Sequence, residues 1–145
     1  MRKIIIDTDP GQDDALAMMT AFGAKKDLNV LGVTCVAGNV PLDLTSVNAL
    51  KICELSGVFS VPVFRGSPAP LKRKLITAEH VHGKTGLDGT DLLVKKKELE
   101  PTDAVDFIIE CTEKYRDEKI TICALGPLTN VAKVLKKDSV LLESI

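Results

Sequence analysis

"IIIDTDPGQDDA", residues 4–15, decides how the chain is read: three isoleucines run into Asp7, Asp9, Asp13 and Asp14, with Pro10 and Gly11 between them. The apolar run is short and β-branched, as in a strand covered on both faces. Pro10 and Gly11 suit a bend. Beyond it, "DDALAMMTAFGAK" (13–25) places Ala15, Leu16, Met18, Met19 and Phe22 at helical spacing. Strand, turn and helix therefore gather four carboxylates at one strand end, with only Arg2 and Lys3 nearby to offset them.

Outward from that point the same alternation repeats. "NVLGVTCVA" (29–37), "SVPVFRG" (60–66) and "KITICAL" (119–125) read as further buried strands. Helical periods lie between them at 43–57, closed by Gly57 as C-cap, at 102–117, opened by Thr102 as N-cap behind Pro101, and at 126–137, with Pro127 in the first turn. Thr129 and Asn130 read as first-turn residues of that last helix. This order predicts an α/β fold: a mostly parallel, Rossmann-like sheet with right-handed crossovers, helices on both faces, and a ligand site beyond the carboxyl ends of the strands. The stretch 65–100 holds Pro68, Pro70, Gly83, Gly86, Gly89 and both histidines; too long for a plain connector, it reads as an active-site loop region.

Composition narrows the function. With 145 residues, 45% hydrophobic and 27% charged, the chain fits one domain with a sizeable core. Nineteen basic against twenty acidic residues leave a net charge of −1, so nothing pulls it toward nucleic acid or an anionic membrane. Aromatic residues make up 3%, without Trp, too few for a base-stacking platform. No apolar stretch approaches the roughly 20 residues that cross a bilayer, and the opening isoleucines are too few for a signal h-region, so a cytoplasmic setting is expected. Cys35, Cys53, Cys111 and Cys123 lie far apart in apolar segments and read as reduced core thiols. "LVKKKELE" (93–100) reads as a solvated face.

The acidic cluster carries the chemistry. A helix N-terminus favours negative charge, so capping alone accounts for Asp13 or Asp14. It leaves Asp7 and Asp9, which repel their neighbours unless a cation or a proton sits among them. An oxygen-only set points to Ca²⁺ or Mg²⁺ rather than zinc. The competing reading is an acidic turn with one cap and no ion.

"DTDPGQDDA" resembles the N-terminal signature of the inosine-uridine preferring nucleoside hydrolases, DxDPGxDDA after the first strand. "VTCVAGN" (33–39), "AEHVHGKTGLDG" (78–89) and "ITICALGPLTN" (120–130) are similar to that family's later motifs, in the same order. The resemblance implies hydrolysis of the N-glycosidic bond of ribonucleosides with Ca²⁺ as cofactor. Asp9 would bind the ion and act as base on the attacking water, and Asp14 and the Leu125 backbone carbonyl would be further ligands. Asp7 would support the metal shell from behind. Asp13 and Asn39 would hold the ribose hydroxyls, and His82 would border the nucleobase. Read without the resemblance, Asn39 is a left-handed turn residue after Gly38, and His80 and His82 are surface loop histidines.

Family members are about twice this length, and the chain stops at "VLLESI" in a helix-to-strand passage. The absent half would supply one more aspartate ligand and the histidine acid for the leaving base. Residues 1–145 are then the N-terminal part of a single domain, self-associating as a homo-oligomer or pairing with the missing C-terminal half. One alternative is a catalytically impaired remnant that binds metal or ribose. Another is a haloacid-dehalogenase-like phosphatase with Asp7 as nucleophile, suggested by "DTD" but opposed by Gly11, where that family carries Thr or Val.

Overall fold

The computed structural model describes residues 1–137; the helix-to-strand passage expected at "VLLESI" lies outside the described residues. Nine elements follow one another: β1 (Arg2–Thr8), α1 (Gln12–Gly23), β2 (Leu28–Cys35), α2 (Leu42–Leu55), β3 (Val63–Arg65), α3 (Glu79–His82), α4 (Ala104–Lys114), β4 (Thr121–Ala124) and α5 (Thr129–Lys137). The four strands form one sheet in the order β3-β2-β1-β4, and every pairing is parallel. The order reverses between β1 and β2 on one side and β4 on the other, which opens a crevice at the carboxyl end of β1.

The isoleucine run explains why β1 is central. Ile4 and Ile6 face one core with Met18 and Phe22 of α1 and Ala49, Leu50 and Ile52 of α2. Ile5 faces the other, with Val105, Phe107 and Ile108 of α4 and Val134 of α5. Alternate residues of one strand thus fill both layers, the arrangement the continuous apolar run predicts. Phe64 stacks on Phe107 at 3.8 Å between ring centroids and ties β3 to α4.

Several boundaries differ from the sequence reading. β3 keeps only three residues of the expected 60–66. α4 is capped by Asp103 rather than Thr102, its carboxylate accepting the Val105 N–H at 2.8 Å; either residue type caps, and only geometry chooses. α5 starts two residues after Pro127, whose carbonyl accepts the Thr129 N–H at 2.7 Å. Gly57 does follow α2 with φ +65°, the left-handed conformation that stops a helix. The lysine run is not simply solvated: Glu54 of α2 accepts the backbone N–H groups of Lys95, Lys96 and Lys97, and Lys97 is buried with its ammonium on the Phe59 carbonyl. The four cysteines are free thiols, three of them buried and Cys123 half-buried on β4. No described helix is long and apolar enough to cross a membrane.

Candidate active site

β1 ends on Thr8, and its last turn delivers the carboxylates to the crevice. Asp9 is 5% exposed, its Oδ2 accepting the Asn39 backbone N–H at 2.7 Å from the loop after β2. Two glycines wall it in: a Cβ on Gly38 would stand 2.0 Å from Asp9 Oδ2, and one on Gly126, after β4, 2.6 Å from Oδ1. The carboxyl ends of three neighbouring strands therefore close around one carboxylate. Burial, with Asp14 and Asp13 as further negative charges, pushes its pKa up to about 7.

Asp14 is buried in the first turn of α1. Its Oδ1 accepts the Thr8 hydroxyl at 2.5 Å, and its Oδ2 accepts the Gly11 N–H at 3.2 Å and the Asn39 amide at 3.4 Å. The Gly11 contact is half of a capping box, so Asp14 serves the helix end while facing the same crevice. Asn39 also donates to the Asp9 carbonyl at 2.9 Å. It does not take the left-handed turn: among the described residues only Lys119 and glycines have positive φ. Asp13 is exposed one residue away, and among the described residues its carboxylate has no hydrogen-bond partner.

Asp7 lies behind the others. It is fully buried, and its Oδ1 accepts from the Thr34 hydroxyl at 2.6 Å and the Asn130 amide at 2.8 Å, while among the described residues Oδ2 has no partner. Burial raises its pKa against both of those hydrogen bonds. A carboxylate so enclosed cannot attack a phosphoryl group, which removes the structural basis of the phosphatase alternative. Leu125 binds back to β1, its N–H donating to the Asp7 carbonyl at 2.8 Å.

Whether these residues fit a cation can be judged from their oxygens. The donors are hard carboxylate oxygens, and among the described residues Asp7 Oδ2 is an orphaned acceptor; both features suit a divalent ion. The set is incomplete, however: among the described residues no three His, Cys, Asp or Glu side chains stand together as a metal-binding group. The residues therefore fit as one side of a site.

The family comparison agrees with this geometry. The family model described as inosine-uridine preferring nucleoside hydrolase matches residues 4–145. The chain belongs to that family. The pyrimidine-specific ribonucleoside hydrolase RihB of Escherichia coli is 43% identical over 144 residues, covering 99% of this chain and 45% of RihB. An uncharacterized Schizosaccharomyces pombe protein is 49% identical over 135 residues, 93% of this chain and 43% of the yeast protein. Among solved structures, a purine-preferring ribonucleoside hydrolase from Gardnerella vaginalis superposes with a TM-score of 0.91 at 32% identity, covering 99% of this chain and 46% of that one. A plant nucleoside hydrolase does so with 0.91 at 37% identity, covering 99% and 45%. The chain spans less than half the length of these relatives.

Within this nucleoside hydrolase framework the 65–100 segment divides. Residues 78–88 border the crevice: Ala78 N–H donates to the Asn39 carbonyl at 2.9 Å, and His82 meets the side chain of Gln12. Residues 95–97 are strapped to α2 instead. His80 is exposed. Four contributors escaped the sequence reading: Thr8, Gln12, Asn48 and Asn130. Asn48, buried in α2, donates to the carbonyls of Pro10 at 3.2 Å and Thr85 at 2.8 Å, joining the acidic turn to the histidine loop. Asn130, read as an ordinary first-turn residue, accepts the Ser67 N–H and donates to Asp7 and to the Cys35 carbonyl. Only an asparagine at an apolar helix start hinted at it.

Proposed function

We propose that residues 1–145 form the N-terminal part of a single ribonucleoside-hydrolysing domain and carry its water-activating and ribose-holding side. The observation behind this is Asp9: a carboxylate walled by Gly38 and Gly126 at the strand ends, beside Asp14 and fixed by the Asn39 N–H. A carboxylate so placed is a group that can accept a proton from a water in the crevice. Asp9 would take the proton of the attacking water while the Asn39 N–H holds its other oxygen in place. Asp13, exposed beside Asp14, and Asn39 would hold the ribose hydroxyls, and His82 would border the base.

The carboxylates also favour the positive charge that develops at C1′ as the glycosidic bond loosens. Asp9 and Asp14, with the Leu125 carbonyl and with Asp7 behind them, would hold Ca²⁺. When bound, the ion supplies the charge that acidifies and aims water. The remaining ligands and the acid for the leaving base would come from the sequence that relatives carry beyond this length; self-association as a homo-oligomer, or pairing with a separate C-terminal half, belongs to the same reading. A cytoplasmic setting belongs to the same reading, since all four cysteines are unpaired.

Calcium calorimetry combined with a reducing-sugar assay on uridine and inosine tests the proposal. Ca²⁺ binding and cleavage, both lost in Asp9→Ala, support it; cleavage unchanged in Asp9→Ala refutes the role of Asp9. Binding without turnover identifies the impaired remnant.

A further inference from the structure

Gln12 occupies the position between the turn glycine and the aspartate pair, where the family signature leaves the residue open. Its side chain reaches His82 twice: Oε1 lies 2.5 Å from His82 Nδ1, and Nε2 donates to the His82 carbonyl at 3.4 Å. An amide nitrogen only donates and an amide oxygen only accepts. With the nitrogen turned to a carbonyl, the oxygen is the atom that faces the ring, so Nδ1 carries the hydrogen. In a neutral imidazole the other nitrogen is then an acceptor.

The ring has little freedom to escape this arrangement. It lies against the turn itself, since a Cβ on Gly11 would stand 2.6 Å from Nδ1 and 2.8 Å from Cε1. His82 closes the four-residue α3, and Gly83 follows at φ +79°. Asn48 holds the loop three residues further on, through the Thr85 carbonyl. Hydrogen bonds thus link the imidazole to Gln12, and the loop that carries it to the acidic turn through Asn48.

We propose that Gln12 is a positioning residue that fixes neutral His82 in its Nδ1–H tautomer, leaving Nε2 as a hydrogen-bond acceptor for an N–H group on the ligand's base. The tautomer follows from Gln12 alone; the base-recognition step rests on the ribonucleoside reading above. The ligand class it selects is one that presents an N–H donor to Nε2.

Long-range ¹H–¹⁵N spectroscopy reads the tautomer directly, and the chain holds only two histidines. His80→Gln, at an exposed position, leaves His82 as the sole imidazole. Expected is a protonated Nδ1 and a bare Nε2 in the neutral ring. Gln12→Met, similar in size but with only a weak thioether acceptor, shifts His82 toward the Nε2–H form, and Gln12→Glu restores Nδ1–H. An Nε2–H ring with Gln12 present, or an unchanged tautomer in Gln12→Met with an otherwise native amide spectrum, overturns the proposal. In cleavage assays KM for N3-methyluridine exceeds that for uridine by about tenfold, the worth of one hydrogen bond, and Gln12→Met narrows that gap with kcat less affected. Equal KM values refute the base-recognition step. If neither nucleoside is bound or cleaved while the tautomer is as expected, the ribonucleoside reading is at fault, not the Gln12–His82 pair.

Discussion

Asp9 should make the metal-free chain less stable as pH rises through neutrality, and replacing it with asparagine should reverse that. Its folded-state pKa, about 7, lies above the ordinary 3.8 of an unfolded aspartate. The folded state therefore holds a proton that the unfolded state releases. Its contribution to stability is complete below about pH 3.8 and is lost progressively as pH rises to about 7. At about 1.4 kcal/mol per pKa unit, the whole gap converts to roughly 4 kcal/mol.

Asp9→Asn removes the charge. The Asn39 N–H, which now donates to Oδ2, keeps an acceptor in the amide oxygen. The new NH₂ faces the Gly126 side, where an unmet donor costs about 1–3 kcal/mol. The net expectation is a gain of about 1–3 kcal/mol in chelator near pH 8; on the function proposed above, any Ca²⁺ binding is lost with the carboxylate. Urea unfolding of both chains, in chelator and in Ca²⁺ between about pH 4 and 8, gives the comparison. On the proposed role of Asp9 the ordering inverts in Ca²⁺, because only the carboxylate would gain from the ion. A wild-type stability flat across that range, or an Asp9→Asn chain weaker than wild type near pH 8 in chelator, refutes the reasoning.

Gly38→Ala places a methyl 2.0 Å from Asp9 Oδ2 and 2.8 Å from Pro127 Cδ; such overpacking costs about 1–3 kcal/mol and should weaken Ca²⁺ binding seen by calorimetry. Asn48→Ala strips the bonds to Pro10 and Thr85 from a residue 1% exposed; we expect a loss of about 1–3 kcal/mol and faster hydrogen exchange across 78–88 than across β1. Glu54→Gln weakens the strap on Lys95, Lys96 and Lys97, so trypsin should cut there sooner while any Ca²⁺ response is unchanged.

What the sequence made legible was local. Asp7, Asp9 and Asp14 fall within one strand, one bend and one helix start, so reading those elements already brings the carboxylates to the same strand end. Alternation in Ile4, Ile5 and Ile6 likewise announces a strand buried on both faces, and the βα order then fixes a parallel sheet. Asp103 displaced Thr102 because both are good caps and the choice turns on which carbonyl the helix starts from.

What was not legible joins distant segments. Asn130 reaches Asp7 across 123 residues, Asn48 reaches Pro10 across 38, and His82 meets Gln12 across 70. Each partner is a neutral amide, and amides carry no charge or periodicity that singles them out in a sequence. They nevertheless do the work that charge cannot. Four carboxylates at one strand end repel, so their placement depends on donors that hold them without cancelling their charge. Asn130 and Thr34 hold Asp7, Thr8 and Gly11 hold Asp14, and the Asn39 N–H holds Asp9. Neutral donors of this kind leave the negative potential of the crevice intact, which is what a cation or a developing oxocarbenium requires. A lysine in place of Asn130 would instead pair with Asp7 and cancel part of that potential.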